Sequence, residues 1–123
     1  MNERQMMTGT GPLIICRSSF INLKDMKKAV FITFNQALTE RVAYMLEQLK
    51  VRGFTQWPLV NGAGTNDGEP RMGSHTWPEM NSATLCVVDE EMVPLILKYV
   101  KALDEVNKEN GIRAFVWDIT DMY

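Results

Sequence analysis

Three short runs restrict what this chain can fold into. In residues 29–34 (A-V-F-I-T-F), 82–88 (S-A-T-L-C-V-V) and 112–119 (I-R-A-F-V-W-D-I), apolar side chains stand at odd and even positions alike. The β-branched and aromatic content of these runs favours the extended chain. A strand turns successive side chains to opposite faces of its sheet, so a strand that is apolar on both must be covered on both. Ala83, Leu85 and Val87 alternate with Thr84, Cys86 and Val88, and Phe115, Trp117 and Ile119 alternate with Ile112, Ala114 and Val116. A fourth run, 54–60, sets Trp57 and Leu59 on one face and contains Pro58. Proline offers no N–H to a ladder, so this run belongs at a sheet edge or carries a bulge.

Two segments between these runs have the helical period. Asn35 is a good N-cap for residues 36–52, where Leu38, Val42, Met45 and Leu49 form an apolar stripe and Gly53 is the expected left-handed exit. In residues 89–110, Asp89, Glu90 and Glu91 suit the positive end of a helix and Pro94 fits its first turn. Val93, Leu97, Val100 and Leu103 or Ala102 are then expected to face the core, and Asn110 and Gly111 to end the helix. The order strand, helix, strand, strand, helix, strand predicts an α+β, ferredoxin-like βαββαβ domain over residues 26–123, a four-stranded antiparallel sheet with both helices on one face. That leaves the second apolar face of the sheet uncovered, and an uncovered face of that size marks an interface. An oligomer closed through the sheets is expected.

Residues 1–25 have little pattern. Met26, Lys27 and Lys28 directly before a strand have the character of a chain start. The first 25 residues read either as an extension ahead of the domain or as an N-terminal arm packing on a neighbour through Leu13, Ile14 and Ile15. The apolar run 13–16 is too short for the core of a signal peptide, and no stretch approaches the roughly 18 apolar residues of a membrane span. Cytoplasmic location, with no membrane insertion, is expected, and Cys16 and Cys86 are expected to be reduced. A net charge of −2 over 123 residues provides no general attraction for nucleic acid. No Walker, H-E-x-x-H or nucleophile-elbow pattern is present, and Cys86 lies in an apolar strand where a thiol is usually inert, so a Cys86–His75 nucleophile–base pair is not favoured. A non-enzymatic role is expected.

The distinctive chemistry is gathered in residues 61–81, NGAGTNDGEPRMGSHTWPEMN. A loop of this length inside a small domain is unusual and commonly functional. Gly62 and Gly64 can bring backbone amides close to a ligand, with Arg71 as the charged partner and Glu69 and Trp77 completing a ligand-binding set. The competing reading gives the glycines to turn geometry, Arg71 to a surface ion pair with Glu69 or Glu79, and Trp77-Pro78 and Trp57-Pro58 to packing of the loop stem. His75, the one histidine, is a candidate metal ligand with Met72, Met80 or Cys86, or with Glu69 or Asp67 for a harder ion. Its alternative is a hydrogen bond to loop backbone. Met72 and Met80 add adaptable apolar surface suited to docking a partner protein.

The element order with a long glycine-rich excursion between the second and third strands, and the G-x-G formed by Gly62, Ala63 and Gly64, resembles the PII signal-transduction superfamily over residues 27–121. The resemblance implies a homotrimer whose sheets meet around a three-fold axis, a small ligand in the cleft between subunits, and signalling through the excursion, the T-loop of that superfamily. This chain departs from the classical nucleotide-binding members in two ways. Residues 108–111 (K-E-N-G) replace their T-G-x-x-G-D-G-K-like run, and the excursion has no tyrosine for covalent modification. It is therefore similar to small, non-classical members, and the ligand implied by the resemblance stays open. The copper-tolerance CutA family shares the architecture and trimer but no close motif. The alternative expectation is a divalent or soft metal-binding trimer with a role in metal tolerance.

Overall fold

The computed structural model describes residues 26–64, 69–76 and 79–123. The expected arm or extension at 1–25 lies outside the described residues. Four strands, β1 (Lys27–Asn35), β2 (Phe54–Val60), β3 (Asn81–Asp89) and β4 (Ile112–Asp118), alternate with two helices, α1 (Thr39–Gln48) and α2 (Val93–Val106). The sheet order is β2-β3-β1-β4, and each neighbouring pair is antiparallel. This is the ferredoxin-like βαββαβ fold that the element order predicts.

The two faces of β1 are used differently. Val30, Ile32 and Phe34 are buried beneath the helices with Cys86 and Val88 of β3 and Ile112 of β4. Leu38, Val42, Met45 and Leu46 cover them from the α1 side, and Ile96 and Val100 from α2. The other face carries Phe31, flanked by Trp57 at 6.3 Å in an edge-to-face arrangement and by Trp117 at 6.5 Å in a tilted one. Trp57 lies opposite Ala83 on β3, a small side chain over which the indole leans toward Phe31. On this face Trp57, Trp117, Phe115 and Val87 remain exposed. The sheet therefore has one covered apolar face and one open one.

Pro58 meets both conditions the sequence sets for it. β2 is an edge strand, and its register with β3 shifts between Trp57 and Val60. The buried Ser82 hydroxyl donates to the Pro58 carbonyl at 2.6 Å, giving a partner to a carbonyl at the irregularity.

Asn35 caps as expected: its side-chain oxygen accepts from the Ala37 N–H at 2.8 Å, at the start of a 3₁₀ turn (Gln36–Leu38) that leads into α1. The far end of α1 corrects the sequence reading. The helix stops at Gln48, and the left-handed residue is Lys50 (φ 60°), with Gly53 outside that region. The Val51 N–H donates to the Leu46 carbonyl at 2.8 Å and the Lys50 N–H to that of Glu47 at 3.0 Å. This is the paired bonding of a Schellman cap, fastened by Leu46 and Val51, both in the core. Burial of Val51 fixes the exit three residues earlier than Gly53, and lysine takes the strained position. In α2, Ile96 is buried where Leu97 was expected, and Leu97 and Ala102 are exposed. Met92, Val93, Ile96, Tyr99, Val100 and Leu103 meet the core. The expected stripe holds at Val93, Val100 and Leu103, with Ile96 in place of Leu97 and Met92 and Tyr99 added beside it.

Lys50→Gly is expected to stabilise the fold by roughly 0.5–1 kcal/mol, the relief of left-handed strain less the unfolded-state entropy of glycine. Urea denaturation measures it, and a lower midpoint would show that the Lys50 side chain contributes more than its backbone costs.

Candidate functional site

Antiparallel pairing brings the end of β1, the end of β2 and the starts of β3 and β4 to one edge of the molecule. The long excursion and the turn between α2 and β4 both leave from that edge. The excursion is closed at its base. Gly62 and Arg71 exchange both backbone hydrogen bonds, at 2.8 and 2.5 Å, and further out the Gly73 N–H donates to the Glu79 carbonyl at 3.1 Å. Two glycines are needed here for close approach. A Cβ on Gly62 would collide with the Asn81 side-chain amide, and one on Gly73, whose φ is +66°, with the Met80 sulfur. Gly64 has open space where a side chain would go. Of the G-x-G pair, the first glycine is thus fixed by the stem, and the second is unconstrained by its described neighbours.

Arg71 joins the excursion to the rest of this edge. Its guanidinium donates from Nη1 to Asn81 Oδ1 at 3.3 Å and from Nη2 to the Glu109 carbonyl at 3.5 Å, while Nε lies 3.8 Å from Glu79 Oε1. It rests against Gly111, close to where a Cβ would stand. Asn35 Nδ2 donates to the same Glu79 oxygen at 2.8 Å, and its backbone N–H donates to the Gly111 carbonyl at 3.2 Å. The Gln36 N–H donates to the Met80 carbonyl at 3.0 Å. β1, both arms of the excursion, β3 and the turn before β4 are thereby bonded into one junction.

The turn at residues 107–111 is tight. The Asn110 and Gly111 N–H groups both donate to the Asn107 carbonyl, at 2.9 and 3.2 Å. Asn107 Nδ2 caps α2 through the Leu103 carbonyl at 2.9 Å, and Asn107 Oδ1 accepts from Arg41 at 2.7 Å. Two amides that a phosphate cradle would direct outward are engaged inside the turn. The turn instead presents the Glu109 carbonyl to Arg71.

The structure separates the sequence candidates. Gly62 and Arg71 meet in the stem, Gly64 and Glu69 are exposed on the excursion, and Trp77 lies outside the described residues. Asp67 and Pro78 are likewise outside them. Arg71 pairs with Glu79, one of the two carboxylates named for it. His75 is exposed. Among the described residues no three of His, Cys, Asp and Glu gather as a metal site would require. Cys86 is 1 % exposed on the helix-covered face, its sulfur 3.8 Å from the Val30 carbonyl, and burial pushes its thiol above the usual range. It cannot join a site at the surface. The opposite edge carries Lys27 paired with Asp89, and Lys28 paired with Asp118 and Glu90; the hydrogen bond to Asp118 is the main reason the Lys28 ammonium is held above its ordinary range. No helix of the described residues is long and apolar enough to cross a membrane.

Three members of the junction escape sequence reading. Asn35 shows only its capping role, and Asn81 and Asn107 carry no motif. The strand register would have found the first two, because Asn35 and Asn81 are directly opposed.

No protein-family model matches the chain, and no curated protein matches it. Solved structures do. CPII from Thiomonas intermedia, a nitrogen regulatory PII-like protein bound to ADP, AMP and bicarbonate, superposes with a TM-score of 0.63 at 22 % identity, covering 76 % of this chain and 86 % of its own. The chain has the PII-like fold. A putative PII-like signaling protein from Thermus thermophilus matches with a TM-score of 0.57 at 22 % identity over 76 % of this chain and 87 % of that one. A DUF3240-family protein from Shewanella baltica gives 0.56 at 15 % identity over 79 % and 93 %. At these identities the likeness is one of fold. In PII-like terms, residues 61–80 are the excursion between the second and third strands, and the junction lies at its base.

Gly62→Ala is expected to push the Asn81 amide away from Arg71 and open the stem, raising amide exchange and proteolysis across residues 69–76, whereas Gly64→Ala leaves both unchanged. Equal behaviour of the two variants would refute the assignment of Gly62 to the stem. The peptide containing Cys86 is expected to stay unlabelled by iodoacetamide in the folded protein and to label fully in urea, as read by peptide mass.

Proposed function

We propose that this chain is a non-enzymatic PII-like regulatory protein that binds a small ligand in a cleft between subunits and signals through residues 61–81. The observation that carries this reading is the Arg71 junction, where one guanidinium touches the stem of the excursion, the start of β3 and the turn before β4. A ligand that bonds to any of these alters the hold on the excursion, and a partner protein reads the altered loop as a shift between its states. Gly62, Gly64, Glu69, Arg71 and Trp77 are the proposed ligand-binding residues. Gly62 acts through stem geometry, Arg71 through charge, and Gly64 and Glu69 from exposed positions on the loop.

The cleft requires a second copy. The open face of the sheet, with Phe31, Trp57, Phe115 and Trp117, is the apolar surface that supports a homotrimer closed face to face. CPII is the guide to ligands, since its structures hold ADP, AMP and bicarbonate. The 107–111 turn keeps two amides to itself, which favours a ligand held mainly by the excursion and by Arg71. Metal binding through His75 remains the second proposal of the sequence, and no described neighbour adds to it.

Calorimetric titration of the full chain with ADP, AMP and bicarbonate is expected to show binding by at least one of them, with Arg71→Ala weakening it about tenfold or more, the loss of a charge-assisted contact. No heat with any of the three would overturn the ligand assignment. Phe115→Asp on the open face is expected to reduce the particle from three chains to one in light scattering, and a wild-type monomer would remove the cleft.

A further inference from the structure

One anion, the Glu79 carboxylate, already stands at the junction where a ligand is proposed to bind. Asn35 is 3 % exposed. Its side-chain oxygen is committed to the Ala37 N–H, which fixes the amide orientation and turns Nδ2 toward Glu79. A buried N–H in that position needs an acceptor. Glu79 Oε1 supplies one at 2.8 Å and lies 3.8 Å from Arg71 Nε. Among the described residues, Glu79 is the carboxylate paired with Arg71, whose other hydrogen-bond partners are a neutral amide and a neutral carbonyl.

The donors and the acceptor differ in how they are held. Asn35 is built into the end of β1, and the Arg71 side chain is 20 % exposed. The Glu79 side chain is 64 % exposed, so its carboxylate reaches the two donors from the solvent side. A free anion can approach by the same route. Glu79 also belongs to the outgoing arm of the excursion and Arg71 to the incoming arm, so the carboxylate ties the arms to each other and to β1. The backbone carbonyl of Glu79 holds the Gly73 N–H.

We infer that Glu79 is a built-in occupant of an anion site formed by Asn35 Nδ2 and the Arg71 guanidinium, and that a small planar monoanion of the carboxylate or bicarbonate type replaces it there. With the external anion in place, Asn35 and Arg71 keep their partner, while the arm bearing Glu79 is released. The site lies in the junction already proposed to bind a ligand, and release as a signal rests on that reading.

Chemical rescue of the full chain tests the site. In Glu79→Ala, amide exchange at Gly62, Arg71 and Gly73 is expected to accelerate about tenfold, a loss in the range of one unsatisfied buried donor. Acetate, which replaces the missing carboxylate, is expected to restore protection at Gly62 and Arg71, with sodium chloride at equal ionic strength having no effect. Bicarbonate in place of acetate distinguishes the two anion types. In the wild type, bicarbonate or acetate is expected to shift the Asn35 side-chain amide resonances and to loosen Gly73, a measurement that stands even if the variant does not fold. Protection unchanged in Glu79→Ala, or lost and not restored by either anion, would overturn the inference, as would Asn35 resonances that ignore both anions in the wild type. Rescue of Glu79→Ala with no loosening of Gly73 in the wild type keeps the anion site and removes release as a signal. Nucleotide binding without rescue keeps the proposed function and removes the anion site.

Discussion

β1 is bonded along both edges, buried under the helices on one face and flanked by aromatic rings on the other, and the rest of the fold follows from that. Its ladders to β3 and β4 run nearly its whole length. Val30, Ile32 and Phe34 anchor both helices on one side, and Phe31 gathers Trp57 and Trp117 on the other. A central strand of this kind leaves the chain no freedom of register, because a one-residue slip would bring Phe31 under the helices and Ile32 out among the indoles. The end of β1 is therefore placed to within a residue, and Asn35 stands at that end with its amide oriented by the helix cap.

The site inherits its precision from this strand. The excursion is long and glycine-rich, but its base is held by groups that do not belong to it: Asn35 from β1, Asn81 from β3 and the Glu109 carbonyl from the turn before β4. Antiparallel topology alone brings these to one edge. A rigid sheet end joined to a long loop suits a device in which small changes in bonding alter the loop and leave the scaffold intact.

Much of the fold was legible in the sequence, because periodicity reports burial. The two-sided strands, the order of elements, the Asn35 cap and the edge position of Pro58 all follow from residue type and spacing. The departures arise where packing overrides local preference. Lys50 takes the left-handed position because Val51 is wanted in the core, although Gly53 was the better candidate by intrinsic conformation. Leu97 yields to Ile96 because an all-round apolar helix such as V-P-L-I-L-K-Y-V does not declare its own phase. The site was legible as a stretch, and in Arg71 with Glu79, but not as a junction. Asn35, Asn81 and Asn107 are ordinary residues whose importance comes from what the sheet register places beside them.

The irregularity at Pro58 bears on how this protein avoids uncontrolled growth. A sheet with an open aromatic face would be hazardous if its rim were also straight, since strands from other molecules could add one after another. β2 makes its rim irregular: Pro58 interrupts it, and the register with β3 jumps between Trp57 and Val60. An interrupted rim is a poor template for lateral addition, while the aromatic face stays exposed.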